Sequence, residues 1–369
     1  MMRIGIVIPT LHGGGAELVA RRWISELDSR GHAITVYAYD RTQPAAGLPA
    51  GVTVRRFTPR WPAMRRILLP FWLRRQIDAD APDGVVSLLT YSNLVTLLAL
   101  TVIRKSQVPL LVSEHTIPSL HALATRRRVH LTRWLACRMY RRAAGVIAVS
   151  HPVAGELVSA FRVSSERIFV IANPVLSSPV SLRTRSPAAT SRPLQLAFVG
   201  RQVPPKRPGL FVDVLRELAE RDIPVRGSMI GDGPLRERTE REALDSGLDI
   251  LFTGWREPWW DAVPDIDCLV LTARFEGLAN VLVEAAAAGI PSVACSRALG
   301  VADAIVPGLT GELTLTDSPR DYADAVMRAT SQPLPSQETL GRWLEHLSVK
   351  PSTTALLAAF QAVVDAAKT

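Results

Sequence analysis

The sequence predicts two α/β domains, each an open parallel sheet wound on both faces by helices. Three observations predict this. The chain has 369 residues, too long for one ordinary domain and comfortable for two. Short apolar runs alternate with helical patterns through both halves. Between the halves, residues 176–193 are rich in Ser, Pro, Thr and Ala and carry no periodicity, which reads as a linker.

In the first half, residues 3–9, 33–38, 52–57, 84–89, 109–114, 145–149 and 168–171 read as short buried strands. Helical patterns at 16–30, 62–78, 92–104, 121–142 and 152–160 lie between several of them. Such alternation implies a parallel sheet covered on both sides, and right-handed crossovers make it doubly wound. The pattern restarts at 194–199 and continues with strands near 226–230, 249–253, 267–271, 291–295 and 311–315. The expected domains are therefore 1–175 and 194–350. An amphipathic helix follows at about 351–368. Open sheets of this kind bind ligands beyond the carboxyl ends of their strands.

The apolar start, Met1 to Thr10, is too short for a signal peptide and leads into glycines, so it reads as a buried strand. Val85 to Ile103 has no charged residue and nearly the length of a membrane span. Its polar interruptions fit strand, turn and helix better. Cys137, Cys268 and Cys295 are odd in number and widely spaced, with neither a disulfide nor a zinc pattern. A reducing cytoplasm is expected.

Charge is unevenly distributed. Residues 1–173 hold 23 Lys and Arg against 10 Asp and Glu, and the remainder 20 against 24. Two clusters in the basic half mix cations with apolar groups. Arg60, Arg65, Arg66, Arg74 and Arg75 lie among Trp61, Ile67, Leu68, Leu69, Phe71 and Trp72. Arg126, Arg127, Arg128, Arg133, Arg138, Arg141 and Arg142 surround Trp134 and Leu135. They read either as an arginine-rich solvated face or as a surface for an anionic inner leaflet. A pI near 10.1 also raises nucleic acid as a partner, but no nucleic-acid-binding signature accompanies it, and none is expected.

Three places carry candidate chemistry. Leu11 to Glu17 contains Gly13, Gly14 and Gly15 just before a helix near Ala16. It reads equally as a tight turn or as a loop that brings backbone amides to an anion. Gly200 and Arg201, then Lys206, follow the strand at 194–199. They are either solvated surface charges or the cations a diphosphate needs where no metal serves. Phe275 to Glu284 follows the strand at 267–271. There Glu276 sits in a loop, the amides near Gly277, Leu278 and Ala279 start a helix that carries Asn280, and Glu284 lies two turns along. Helix-start amides hold phosphate. A carboxylate further along suits paired ribose hydroxyls. Glu276 beside a phosphate would repel it unless it turns towards the sugar.

The two glutamates seven residues apart, with Asn280 and Gly289-Ile290-Pro291 around them, resemble the retaining GT-B glycosyltransferases of family 4. The resemblance extends to the Gly13–Glu17 loop, Ser113-Glu114-His115, Val149-Ser150, Asn173-Pro174, Gly200-Arg201 with Lys206, and Gly231-Asp232-Gly233-Pro234. It implies two Rossmann-like domains facing across a cleft, an acceptor-binding N-terminal one and a nucleotide-sugar-binding C-terminal one. The terminal helix, 351–369, would cross back to the first. Arg201 and Lys206 would bind the donor diphosphate, Glu284 the ribose and Glu276 the donor sugar. Gly14 and Gly15 would line the diphosphate side. His115 would stand by the reacting centre, although a strand-end histidine also reads as a core residue. Gly200 opens the donor loop. The base would lie near Gly254, Trp255 and Arg256.

The resemblance also implies no catalytic metal and no cofactor beyond the sugar nucleotide. The acceptor would be a lipid-linked or oligosaccharide chain in a bacterial surface polysaccharide pathway, the enzyme being cytoplasmic and peripheral on the inner membrane face. A UDP-sugar donor is favoured over GDP-mannose. A non-catalytic nucleotide-binding subunit and a sugar-nucleotide epimerase are competing readings; intact Arg201, Lys206, Glu276 and Glu284 favour catalysis. Asp265-Ile266-Asp267 matches a metal-binding pattern of another glycosyltransferase fold, but here precedes a buried strand. Asp232 is expected to shape a turn. Trp255, Trp259 and Trp260 are read as packing residues. Two positions depart from the family pattern: Ala279, and Arg207 where glycine is common.

Overall fold

The structure, a computed structural model, describes residues 1–40, 47–58, 64–103, 106–123, 127–177, 192–263, 265–333 and 335–368. Most of the expected linker, and Arg60, Trp61 and Arg126 of the basic clusters, lie outside these residues. The chain divides into two compact units, Met1–Ser177 with His346–Thr369, and Ser178–Glu345.

Unit 1 is built on β1 (Arg3–Ile8), β2 (Ala33–Ala38), β3 (Thr53–Arg56), β4 (Gly84–Leu88), β5 (Leu110–Glu114), β6 (Gly145–Ala148) and β7 (Ile168–Val170). The strands are parallel, in the order β3-β2-β1-β4-β5-β6-β7. Central strands such as β4 and β5 are buried throughout, which is why they read as mostly apolar, with Ser87, Ser113 and Glu114 as buried polar exceptions. The order turns back on itself between β1 and β4, and that is where such a sheet opens a crevice at its carboxyl edge.

The helices of this unit are α1 (Gly15–Ser29), α2 (Arg65–Asp80), α3 (Thr90–Leu97), α4 (Pro118–Leu123), α5 (Arg127–Met139) and α6 (His151–Ser159). Two differ from the sequence expectation. The helix expected over 92–104 is α3 followed by a wider π-type turn, Leu98–Ile103. The described parts of the one expected over 121–142 are α4, which begins earlier at Pro118, then α5 and a closing 3-10 turn, Tyr140–Arg142. No helix among the described residues is long and apolar enough to cross a membrane.

Unit 2 holds β8 (Leu194–Val199), β9 (Val225–Ile230), β10 (Ile250–Gly254), β11 (Cys268–Leu271), β12 (Ser292–Cys295) and β13 (Gly311–Thr314), parallel in the order β10-β9-β8-β11-β12-β13. Its helices are α7 (Pro208–Ala219), α8 (Arg236–Asp245), α9 (Asn280–Ala287), α10 (Pro319–Ser331) and α11 (Gln337–Glu345). The aspartate before β11 is structural. Asp267 is fully buried, receives two hydrogen bonds from Arg192 at 2.7 and 2.9 Å, and a third from the Gln195 amide at 2.9 Å. A buried carboxylate satisfied in this way holds the start of the strand.

The last helix, α12 (Val349–Lys368), belongs to unit 1. Leu356, Phe360 and Val363 are buried in one core with Ile4, Trp23 and Val86. The Trp23 indole donates to Ser352 Oγ at 3.0 Å, and Ser352 Oγ donates to the Ala172 carbonyl at 2.7 Å. Replacing Phe360 by Ala would cost about 3–5 kcal/mol of such packing.

Candidate functional site

In unit 2 the strand order reverses at β8, flanked by β9 and β11. The loops leaving these three strands carry most of the candidate residues. The loops after β8 and β9 lie backbone to backbone. Gln202 donates its amide to the Asp232 carbonyl at 2.9 Å, and Gly231 passes so close to Gly200 that a Cβ at 231 would collide with the Gly200 carbonyl. That approach requires glycine. Asp232 Oδ1 accepts the Gly233 amide at 2.7 Å, shaping the turn.

The loops after β8 and β11 are laced together. The Thr272 hydroxyl is 2.7 Å from the Lys206 carbonyl and 2.9 Å from the Arg207 carbonyl. The Arg274 amide donates to the Pro205 carbonyl at 2.8 Å. Arg207 donates to the Thr272 carbonyl at 2.7 Å and to Asp317 at 2.8 Å. Arg207 has φ 49° and ψ 59°, the left-handed region, which costs a side-chain-bearing residue about 1 kcal/mol or more. A glycine would relieve that cost, and the guanidinium contacts offset it here.

This lacing brings Lys206 against Glu276, and the ammonium forms an ion pair with Glu276 Oε1. Both side chains remain partly exposed at 25% and 13%, so the pair faces the site rather than the core. The carboxylate thus sits beside the cation, and its charge is offset there by the ammonium. Arg201 is exposed in the same β8–α7 connection and, among the described residues, pairs with no carboxylate.

The start of α9 differs from the sequence expectation. Gly277, Leu278 and Ala279 precede it, and the first helical amides are those of Asn280 and Val281. Leu278 and Ala279 are buried at 6% and 3% exposure because the loop tucks inwards after Phe275. The Glu276 amide donates to the Ala298 carbonyl at 2.9 Å. Behind that turn, a Cβ at Gly300 would collide with the carbonyl oxygens of Glu276 and Gly277.

Glu284, on α9, accepts a hydrogen bond from the Trp259 indole at 2.9 Å. Trp259 follows the loop that holds Gly254, Trp255 and Arg256. It is 5% exposed and stands edge-on to Trp260 with ring centroids 5.7 Å apart. Nothing in the sequence signals this partnership across 25 residues. Trp255 corrects the packing expectation: it is 57% exposed, carried outward by the chain beyond β10.

In unit 1, α1 begins at Gly15, with Gly14 extended before it. Glu17 folds back so closely that a Cβ on Gly14 would collide with its carboxylate. An acidic group suits a helix start, and it stands where the glycine-loop reading puts an anion.

His115 lies just past β5, half-buried, with Nε2 at 3.0 Å from Ser113 Oγ. Burial pushes its pKa down to about 4, so the ring is neutral at pH 7. Glu114, the last residue of β5, points the other way and is fully buried. The Thr90 hydroxyl lies 3.0 Å from both its oxygens, and the Tyr140 hydroxyl donates to Oε2 at 2.7 Å. Asn93 donates to Tyr140 Oη at 3.0 Å and to the Ser113 carbonyl at 2.9 Å. Burial lifts Glu114 to about 7, against the opposing pull of the Tyr140 and Thr90 hydroxyls.

The chain is 27% identical over 220 residues to the lipopolysaccharide 1,6-galactosyltransferase of Salmonella typhimurium, covering 56% of this chain and 59% of that protein. The fold matches the structure of the lipopolysaccharide outer core galactosyltransferase WaaB with TM-score 0.77, 20% identity and 98% and 99% of the two chains covered. It matches Anabaena HepE in complex with UDP and glucose with TM-score 0.75, 17% identity and 98% and 100% covered. The architecture is therefore GT-B. Residues 13–176 match the family described as Glycosyltransferase Family 4, and residues 193–332 that described as Glycosyl transferases group 1. With both halves matched in order, the chain belongs to the family 4, group 1 glycosyltransferases.

Proposed function

We propose that this protein is a metal-independent, retaining glycosyltransferase that moves a sugar from a nucleoside diphosphate, UDP being favoured, to a lipid-linked or glycan acceptor of a bacterial surface polysaccharide. The Lys206–Glu276 pair carries the reading: a cation and a sugar-facing carboxylate held side by side where three strand ends meet. The relative named a lipopolysaccharide galactosyltransferase supports the acceptor class, and the HepE complex with UDP supports the nucleotide.

Cleavage of the glycosyl–phosphate bond leaves negative charge on the diphosphate and positive charge on the sugar. Arg201, Lys206 and the first amides of α9 offset the former. One such donor is typically worth about 3–4 kcal/mol in the transition state. Glu276 accepts hydroxyls of the donor sugar, and Glu284 those of the ribose. Gly254, Trp255 and Arg256 receive the base; Gly14 and Gly15 flank the diphosphate. His115, uncharged, acts as a hydrogen-bond partner near the reacting carbon. The departing phosphate oxygen takes the acceptor proton on the same face, so no protein base is assigned.

The acceptor reading includes an anionic membrane surface. Helices α2 and α5 both pack on α3. Along α2, Met64, Ile67 and Phe71 are exposed on one stripe with Arg75. Along α5, Leu131 and Trp134 share a stripe with Arg138, whose guanidinium lies 4.4 Å from the Trp134 ring centre. Apolar groups at the interface with cations beside them suit an anionic leaflet. Sedimentation with vesicles rich in anionic lipid should carry the protein down at low salt; protein left in the supernatant rejects the docking.

The decisive test is turnover of nucleotide sugars. Activity with a UDP-sugar that persists in chelator is expected. Activity that vanishes in chelator and returns with manganese overturns the metal-independent reading. Lack of turnover with every nucleotide sugar overturns the enzyme itself.

A further inference from the structure

We propose that Trp259 is a positioning residue for the donor, one that fixes the Glu284 carboxylate against the ribose and ties it to the loop beside the base. The inference rests on the donor reading above and deepens it.

The argument begins with orientation. A glutamate on a helix has three rotatable side-chain bonds, and ribose recognition needs its carboxylate held in one place. A group already held loses less freedom on binding. Trp259 supplies the hold: its indole N–H donates to Glu284 Oε2 at 2.9 Å, and a bond to an ionised acceptor is among the stronger ones. The indole is itself closely packed. Trp259 is 5% exposed, lies in the 3-10 turn Trp259–Asp261, and is braced edge-on by Trp260 at 82° between ring planes.

The connectivity gives this bond its use. Trp259 comes five residues after Gly254, at the far end of the connection that carries Trp255 and Arg256. Glu284 comes from α9, beyond the Glu276 turn. One hydrogen bond therefore joins the segment assigned to the base to the carboxylate assigned to the ribose. A nucleoside diphosphate then meets both in fixed register.

The test is calorimetric. UDP and GDP are titrated into the protein, each beside its 2′,3′-dideoxy counterpart. Wild type should prefer the ribose form of one pair, and Glu284→Ala should abolish that preference. Trp259→Phe keeps the ring and removes the N–H. It should lower the preference by about tenfold while leaving affinity for the dideoxy nucleotide within about twofold. A residue that merely supports the fold would weaken both ligands alike. Should Phe prevent folding, benzothienylalanine at position 259 keeps the shape of indole without its N–H, and the same shift is expected.

The outcomes separate the two claims. If Glu284→Ala loses the preference and the N–H-less variants keep it, or lose both affinities equally, the role of Trp259 is overturned. If Glu284→Ala keeps the preference, or wild type binds neither nucleotide, the donor reading fails and this inference with it.

Discussion

Each unit places a glutamate at the carboxyl edge of a central strand or just beyond it, and they treat it differently. In unit 1, Glu114 is sealed among the hydroxyls of Thr90 and Tyr140, and burial lifts its pKa to about 7. In unit 2, Glu276 keeps some exposure and sits against the Lys206 ammonium. The first arrangement suits a carboxyl that props up the loop bearing His115. The second suits one that exchanges partners with a ligand, because the pair keeps some exposure and a ligand's charged groups can replace each partner. Asp267 is a third case, buried like Glu114 but paired with a cation like Glu276. Surroundings rather than residue type decide whether an acidic group braces or binds.

Four substitutions break or sharpen this contrast. Lys206→Ala should lower turnover of a nucleotide sugar by about 10²–10³-fold, on the order of 3–4 kcal/mol, with the melting temperature nearly unchanged. Near-normal turnover would return Lys206 to the class of solvated surface charges. Arg192→Ala should cost about 3 kcal/mol in urea unfolding, at the low end for breaking a buried pair because Arg192 is 33% exposed while Asp267 is left buried. A loss under about 1 kcal/mol would mean that Asp267 is not held as described.

Glu114→Gln tests unit 1 through pH. The folded pKa near 7 exceeds the 4.5 of a free glutamate, so the folded protein keeps a proton that the unfolded chain releases. This contribution is full below about pH 4.5, falls as pH rises to about 7, and is flat beyond. The variant should therefore gain about 3 kcal/mol relative to wild type between those limits. His115 works in the opposite sense: its folded pKa of about 4 lies below 6.5, so its contribution is lost as pH falls between these values. It is present in both proteins and cancels in the difference. A pH-independent difference would show that Glu114 is not raised. The smallest effect belongs to Thr272→Val, which removes the hydroxyl lacing the two donor loops and should cost about 1 kcal/mol. No loss in chemical denaturation would show that the lacing is incidental.

The sheet framework was readable because its central strands are buried on both faces. Val85–Leu88 and Leu111–Val112 admit little but apolar residues, and glycine or proline bounds many such runs. Helix interruptions were less readable. The π-type turn at Leu98–Ile103 keeps the apolar character of the helix it extends, so composition does not mark it. At the site, spacing singles out Glu276 and Glu284, and strand-end logic singles out Lys206. Their partners come from contacts across long separations. Lys206 meets Glu276 from 70 residues away, and Trp259 meets Glu284 from 25. An indole that donates a hydrogen bond has the same sequence signature as one that only fills space.

Gly300 has a consequence for how donor choice can change. It lies behind the Glu276–Gly277 turn with no room for a methyl group. Alanine there would push two carbonyls forward from the rear while leaving every ligand-facing side chain as it was. On the proposed role of Glu276 at the donor sugar, selectivity would then be retuned from behind the turn rather than from its ligand-facing side. Libraries that vary only the visible lining of the site would miss it.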